Sequence, residues 1–162
     1  MRILIVDDSK YQRQLVANCL REVGTCDEAE DGRQAVLLFA TALKTGKHYD
    51  LVVMDILMPE VDGHKALETI VAMQHEAGLA PEQRSKSIML SSLDDPKNMM
   101  QAQFQSGADI YITKPFEADT LLEALTSLDL LTNPLGDADM AGDAGPASLP
   151  QPLSRQSNGN GN

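Results

Sequence analysis

Short apolar runs alternate with segments of helical period over the first 131 residues. Arg2-Ile3-Leu4-Ile5-Val6 is too short for a helix and almost wholly apolar, which predicts a buried strand. Ser9 then offers an N-cap, with Gln12 three residues on at capping-box spacing. Val16, Cys19, Leu20 and Val23 share one helical face, and Gly24 ends that helix. Thr25 to Ala29 reads as a weaker second strand. Asp31 caps a helix with an apolar face of Val36, Phe39, Ala40 and Leu43, closed by Gly46. A third strand lies within Tyr49 to Met54. After a loop containing Met58-Pro59 and Asp62-Gly63, a third helix carries Leu67, Ile70 and Val71 and fades near Gly78. Leu79 to Lys86 is a polar loop, and Ser87-Ile88-Met89-Leu90 a fourth strand. Asp95-Pro96 opens a poorly amphipathic helix that Gly107 ends. Asp109 to Thr113 is a fifth strand, Lys114-Pro115 a turn, and Leu121, Leu125 and Leu128 mark the last helix, with Leu122 beside them.

Strands alternating with helices imply an α/β fold: a doubly wound five-stranded parallel sheet with helices on both faces. From Asn133 the chain turns to Pro, Gly, Ala, Ser, Asn and Asp, too few large apolar residues to offset ordering entropy. The expected organisation is a folded domain over 1–131 and a disordered tail over 132–162.

Charge narrows the partners. Lys and Arg total 13 against 24 Asp and Glu, a net −11, which repels phosphate backbones and anionic membrane surfaces. Direct nucleic-acid or membrane binding is therefore not expected. No stretch approaches a membrane span, and the apolar run after Met1 is too short for a signal peptide. Cys19 and Cys26, without a secretory signal, read as free thiols in a reducing cytoplasm.

Doubly wound sheets bind ligands outside the carboxyl ends of their strands, so the residues there carry the chemistry. Strand one runs into Asp7-Asp8, strand three into Asp55, strand four into Ser91-Ser92 and strand five into Lys114-Pro115. If the sheet order is 2-1-3-4-5, three carboxylates meet at one rim beside a hydroxyl and an ammonium. Crowded carboxylates repel, and a hard divalent cation relieves them. An all-oxygen donor set with room for water and phosphate fits Mg²⁺ and argues against zinc. A carboxylate can also attack phosphorus to form an acyl phosphate, with the metal, lysine and hydroxyl stabilising the phosphoryl oxygens. Each residue alone has an ordinary use: Asp8 or Ser91 as a cap, Lys114 as a solvated charge, Pro115 as a helix starter. Their joint placement after four strands is what points to a site.

These residues resemble the response-regulator receiver family. The match rests on Asp7-Asp8-Ser9, the run Met54-Asp55-Ile56-Leu57-Met58-Pro59-Glu60-Val61-Asp62-Gly63, Met89-Leu90-Ser91-Ser92, Gly107-Ala108-Asp109 and Lys114-Pro115-Phe116, and it spans about Arg2 to Leu131. The resemblance implies a flavodoxin-like sheet order 2-1-3-4-5. It implies Asp55 as phospho-acceptor, Asp8 and Asp55 as direct Mg²⁺ ligands with the backbone carbonyl of Leu57, and Asp7 as a ligand through water. It further implies Lys114 as the phosphoryl-pairing lysine, Ser91 as switch hydroxyl and Tyr111 as switch aromatic. The stretch from Ser91 to Gly107 is one residue longer than the usual family spacing, which leaves Ser92 as the alternative hydroxyl. The loop from Gly78 to Lys86 is also longer than usual.

The resemblance implies a single-domain response regulator of a two-component or phosphorelay system. A histidine kinase or His-containing phosphotransfer protein would feed it. A protein target would read the face made by the 95–106 helix, the fifth strand and the last helix. No catalytic output domain is expected, only slow self-dephosphorylation. An aspartyl phosphatase would need an acid two residues after Asp55, where Leu57 stands. A flavin-type phosphate binder would be repelled by Asp7-Asp8. A phosphorylation-independent interaction module would have no need of the full acidic set with Lys114. His48, His64 and His75 lack metal-ligand spacing and read as solvated side chains, and Met99 and Met100 suit either a partner surface or the core.

Overall fold

The computed structural model of the chain describes residues 1–59, 62–92 and 107–131. Its strands are β1 (Arg2–Val6), β2 (Thr25–Ala29), β3 (Leu51–Asp55), β4 (Lys86–Ser92) and β5 (Ile110–Lys114). Its α-helices, among the described residues, are α1 (Lys10–Leu20), α2 (Gly32–Lys44), α3 (Gly63–Glu76) and α4 (Ala118–Ser127), with a 3₁₀ turn at Pro81–Gln83. The helix expected between Asp95 and Ser106 and the tail from 132 lie outside the described residues. No described helix is long and apolar enough to cross a membrane.

All four strand pairings are parallel, in the order β2-β1-β3-β4-β5. Successive side chains of a strand point to opposite faces, and both faces are covered here. Leu4, Val6, Val52, Met54 and Met89 pack with Phe39 of α2 and Leu67 and Ile70 of α3. Ile3, Ile5, Leu51, Val53, Ile88, Leu90 and Ile112 pack with Val16 and Leu20 of α1 and Leu121 and Leu125 of α4. Every residue of β3 is buried, which is why its apolar residues run without polar alternation. The edge strand β2 buries only Ala29 fully, and its sequence signal is correspondingly weak.

Local chemistry sets the element ends. The Ser9 hydroxyl accepts from the Gln12 N–H at 3.4 Å, as the cap reading expects. The reciprocal half of the capping box is replaced: the Ser9 N–H donates to Asp7 Oδ1 at 2.8 Å, so a site carboxylate fills the place expected for Gln12. Helix α1 stops at Leu20, short of Val23, whose N–H turns back to the Leu20 carbonyl. On α2 the buried positions are Gly32, Ala35, Phe39 and Ala42, with Val36 and Leu43 packed beside them. The expected Val36, Phe39 and Leu43 thus all meet the core, with Ala35 and Ala42 added to the face. Strand β4 extends through Ser91 and Ser92. At the opposite end of the sheet Asp109 accepts from both the N–H and the hydroxyl of Ser87, at 2.7 and 2.8 Å, and binds the starts of β4 and β5 together.

The contact that matters most for the site is made by a residue without a side chain. The Gly63 N–H donates to the Ile56 carbonyl at 3.0 Å. A Cβ at Gly63 would fall 2.1 Å from the backbone oxygen of Asp55. Helix α3 therefore begins flush against the end of β3, and only glycine permits the approach. Gly63→Ala is expected to lower stability by at least the ~1–3 kcal/mol of ordinary overpacking, read as a fall in the urea midpoint. An unchanged midpoint would refute the close-approach account.

Candidate functional site

The end of β1 is fixed before its side chains do any chemistry. The Asp7 N–H continues the parallel pairing by donating to the Ala29 carbonyl at 3.2 Å. The Asp7 carbonyl accepts from the Arg13 guanidinium at 2.8 Å, and Arg13 also pairs with Glu28 at 2.8 Å. Asp7 is 2% exposed, whereas Asp8 beside it faces solvent. Asp55, the last residue of β3, is 7% exposed.

Lys114, the last residue of β5, is separated from β3 by β4, yet its ammonium reaches both buried carboxylates. Nζ donates to Asp7 Oδ2 at 2.8 Å and to Asp55 Oδ1 at 3.0 Å. The peptide bond that follows, Lys114–Pro115, is cis. Asp7, Asp8 and Asp55 can each place a carboxylate oxygen within 4.8 Å of the other two. One ammonium against three carboxylates leaves two negative charges uncompensated, the charge of a divalent cation's counterpart.

The electrostatics follow from that crowding. Burial pushes the Asp55 carboxyl above its ordinary 3.8, and the charges of Asp7 and Asp8 push the same way; the Lys114 hydrogen bond and charge oppose them and are outweighed. For Lys114 burial favours the neutral amine, but the hydrogen bonds to Asp7 and Asp55 and their charges prevail and hold its pKa above 10.5. Lys114 is thus a fixed cation at neutral pH.

Ser91 is 5% exposed, and its hydroxyl oxygen is buried without a hydrogen-bond partner. Such an atom costs about 1–3 kcal/mol. Alternation puts Ser91 on the face of Met89, toward α2 and α3, and Ser92 on the face of Leu90. Met89 pairs with Tyr111 and Ser91 with Thr113, so Ser91 and Tyr111 are diagonal neighbours on one face. Leu57 is half exposed, two residues beyond Asp55. The strand-end residues singled out in the sequence are therefore brought to one rim.

Three contributors escaped sequence reasoning. Arg13 shows no signal there, because its target is a backbone carbonyl. Gly63 was legible only as part of a turn, although a glycine opening a helix hints at close approach. His64 corrects an expectation: its two ring nitrogens are buried and unpartnered, not solvated. His48 and His75 are exposed as expected.

Comparison with known proteins gives a consistent picture. The family model for the response regulator receiver domain matches residues 3–126. The chemotaxis protein CheY of Bacillus subtilis (strain 168) is 39% identical over 127 residues, covering 76% of this chain and 93% of the relative. The chemotaxis protein CheY of Halobacterium salinarum is 37% identical over 134 residues, covering 81% and 97%. Among solved structures, the Vibrio cholerae chemotaxis protein CheY4 matches with a TM-score of 0.62 at 28% identity, covering 78% of this chain and 96% of that one.

The raised Asp55 pKa makes a signed prediction for metal-free protein. The folded state holds this proton more tightly than the unfolded state. Its stabilisation is therefore present below 3.8 and lost as pH rises through the raised folded value. At neutral pH in chelator, Asp55→Asn should unfold at higher urea than wild type, since Lys114 keeps Asp7 as partner, and the gap should close as pH falls toward 3.8. Mg²⁺ at a hundredfold excess over its Kd should stabilise wild type by about 2.7 kcal/mol and the variant by less. A variant less stable than wild type at neutral pH would refute the repulsion account.

Proposed function

The chain belongs to the response regulator receiver family, and from that premise we propose that it takes a phosphoryl group onto Asp55 and relays the signal to a protein partner by changing shape. CheY-like receivers are single-domain components of two-component signalling without a separate catalytic output domain. They bind Mg²⁺ at an acidic pocket, and they interact with kinases, phosphotransfer proteins or downstream targets. The observation that carries the reading for this chain is the Lys114 ammonium spanning Asp7 and Asp55, with the unpartnered hydroxyl of Ser91 near the end of the intervening strand β4.

The donor set fits the cation. Three carboxylates within reach of one ion, oxygen donors only, and a charge deficit of two suit Mg²⁺. Asp8 and Asp55 would hold it directly, with the Leu57 carbonyl, and Asp7 through water. When bound, the ion neutralises phosphoryl oxygens and relieves the carboxylate repulsion.

The chain's own residues do the rest. An Asp55 carboxylate oxygen forms a bond to phosphorus as the bond from phosphorus to the donor breaks, the electron pair leaving with the donor. For a histidine kinase or phosphotransfer protein that donor atom is an imidazole nitrogen; for acetyl phosphate it is an acyl oxygen. Lys114 moves from pairing carboxylates to pairing a phosphoryl oxygen, and the Ser91 hydroxyl gains the acceptor it lacks. The phosphoryl group adds roughly −1.5 to −2 charge. Ser91, not Ser92, is the switch hydroxyl in this reading, because it shares a sheet face with Tyr111. As Ser91 moves, the Tyr111 ring turns inward, and the surface of β5 and α4 presented to a partner changes. Hydrolysis of the acyl phosphate by the chain itself is slow and resets the switch. The protein works in the cytoplasm.

Acetyl phosphate with Mg²⁺ should produce a retarded band on a phosphate-sensitive gel for wild type and none for Asp55→Asn. A retarded Asp55→Asn band would place the acceptor elsewhere. Ser91→Ala should still be phosphorylated, but should lose most of the phosphorylation-dependent gain in partner affinity, a coupling of about 1–3 kcal/mol or 5–150-fold. Ser92→Ala should keep that gain. The reverse pattern would exchange their roles.

A further inference from the structure

Among the described residues, the buried side-chain polar atoms without a hydrogen-bond partner are the Ser91 hydroxyl oxygen and both ring nitrogens of His64. Native folds leave few such atoms, and each calls for an explanation. These are not scattered through the molecule. Ser91 is the diagonal neighbour of Tyr111 across β4 and β5. The His64 ring lies 6.4 Å from the Tyr111 ring, centroid to centroid, tilted by 37°. The unpartnered atoms thus belong to two residues that neighbour one tyrosine on the α2/α3 face of the sheet.

His64 is also firmly placed. Its N–H donates to the Asp62 cap at 2.8 Å, and it follows Gly63, whose backbone rests against the Asp55 carbonyl. The ring is therefore carried by the same backbone that abuts the acceptor. Apolar packing alone does not account for an imidazole here, since a leucine would fill the space without burying two polar atoms. A metal ligand is not indicated either, because the cation-type cluster of described residues is made of carboxylates alone.

We propose that His64 is a positioning residue for the switch: once Ser91 has moved to the phosphoryl group, the inward-turned Tyr111 hydroxyl donates to the unprotonated ring nitrogen of His64. The inference rests on the acceptor reading given above. In the unphosphorylated state the Ser91 hydroxyl and that imidazole nitrogen are both buried and unpaired. In the phosphorylated state each has a partner. The two events favour the same conformation, so His64 draws Tyr111 into place as Ser91 leaves.

The test uses the full chain with ¹⁵N-labelled histidine, Mg²⁺ and beryllofluoride as the phosphoryl mimic. The imidazole nitrogens are followed by long-range ¹H–¹⁵N NMR, and binding at Asp55 by the backbone amides around it. As the mimic saturates the site, one His64 ring nitrogen should shift as a hydrogen-bond acceptor, while those of His48 and His75 stay in place. Tyr111→Phe keeps the ring and removes the hydroxyl, so it should bind the mimic without the His64 shift. In His64→Leu the Tyr111 ring resonances should respond less to the mimic, and His64→Gln should restore part of the response. Unmoved His64 nitrogens with the mimic bound, or the same shift in Tyr111→Phe, would overturn the inference and leave the acceptor reading standing. Absence of beryllofluoride binding would bring down both. The comparison of wild type with Tyr111→Phe decides the matter even where a His64 variant fails to fold.

Discussion

Lys114 reaches past the end of β4 to set one ammonium against carboxylates from two other strands, and the site depends on that bridge. Asp7 and Asp55 are both almost fully buried, and without a cation between them their charges would repel at short range. The bridge has consequences for the fold as well. It ties the end of β5 to the ends of β3 and β1, elements that the sheet itself joins only through β4. Yet the compensation is incomplete, since Asp8 adds a third carboxylate and burial works against the charges of Asp55 and Lys114. On the proposed function, that charge deficit would give the site an appetite for a divalent cation. A site exactly neutralised by its own lysines would have no such appetite.

Placement of the bridge relies on backbone contacts more than on side chains. Arg13 holds the Asp7 carbonyl, the Ser9 N–H holds one Asp7 oxygen, and Gly63 lets α3 begin against the Asp55 carbonyl. These contacts fix the carboxylates where β1 and β3 end. The buried pairings of β1, β3 and β4 then supply a rigid floor, with large aliphatic side chains packed on both faces. A rigid floor is useful because a phosphoryl group is a small stimulus. Its effect reaches a partner only if the rest of the rim cannot absorb it by relaxing.

Legibility in the sequence followed burial. Strands β1, β3 and β4 are apolar on both faces, so their runs stand out, whereas β2 hides because only Ala29 is fully buried. Helix ends were readable where a side chain makes the cap, as at Ser9 and Asp31, and misread where the backbone turns back on itself, as at Val23. The acidic residues and Lys114 were legible because parallel sheets put their chemistry after the strands. The span of Lys114 over β4 was not, since it depends on strand order and side-chain reach. Spacing left Ser91 and Ser92 as alternatives; strand periodicity separates them once the faces are known. His64 was opaque for a related reason. A histidine in the first turn of a helix looks the same in sequence whether its ring meets water or a tyrosine.

The unpartnered atoms give this structure a direction. A fold that satisfied every buried polar group in one conformation would have no reason to prefer another when a charge arrives. Here the exceptions among the described residues fall at Ser91 and His64, both neighbours of Tyr111. Leaving them unpaired raises the free energy of the resting arrangement relative to any state that pairs them. On the proposed function, a phosphoryl group would then not need to supply the whole driving force for rearrangement. It would supply the acceptor for Ser91, and the remaining polar atoms would bias where the aromatic ring goes next. Residual polar dissatisfaction of this kind is the physical form that a poised switch takes inside an otherwise well-packed sheet.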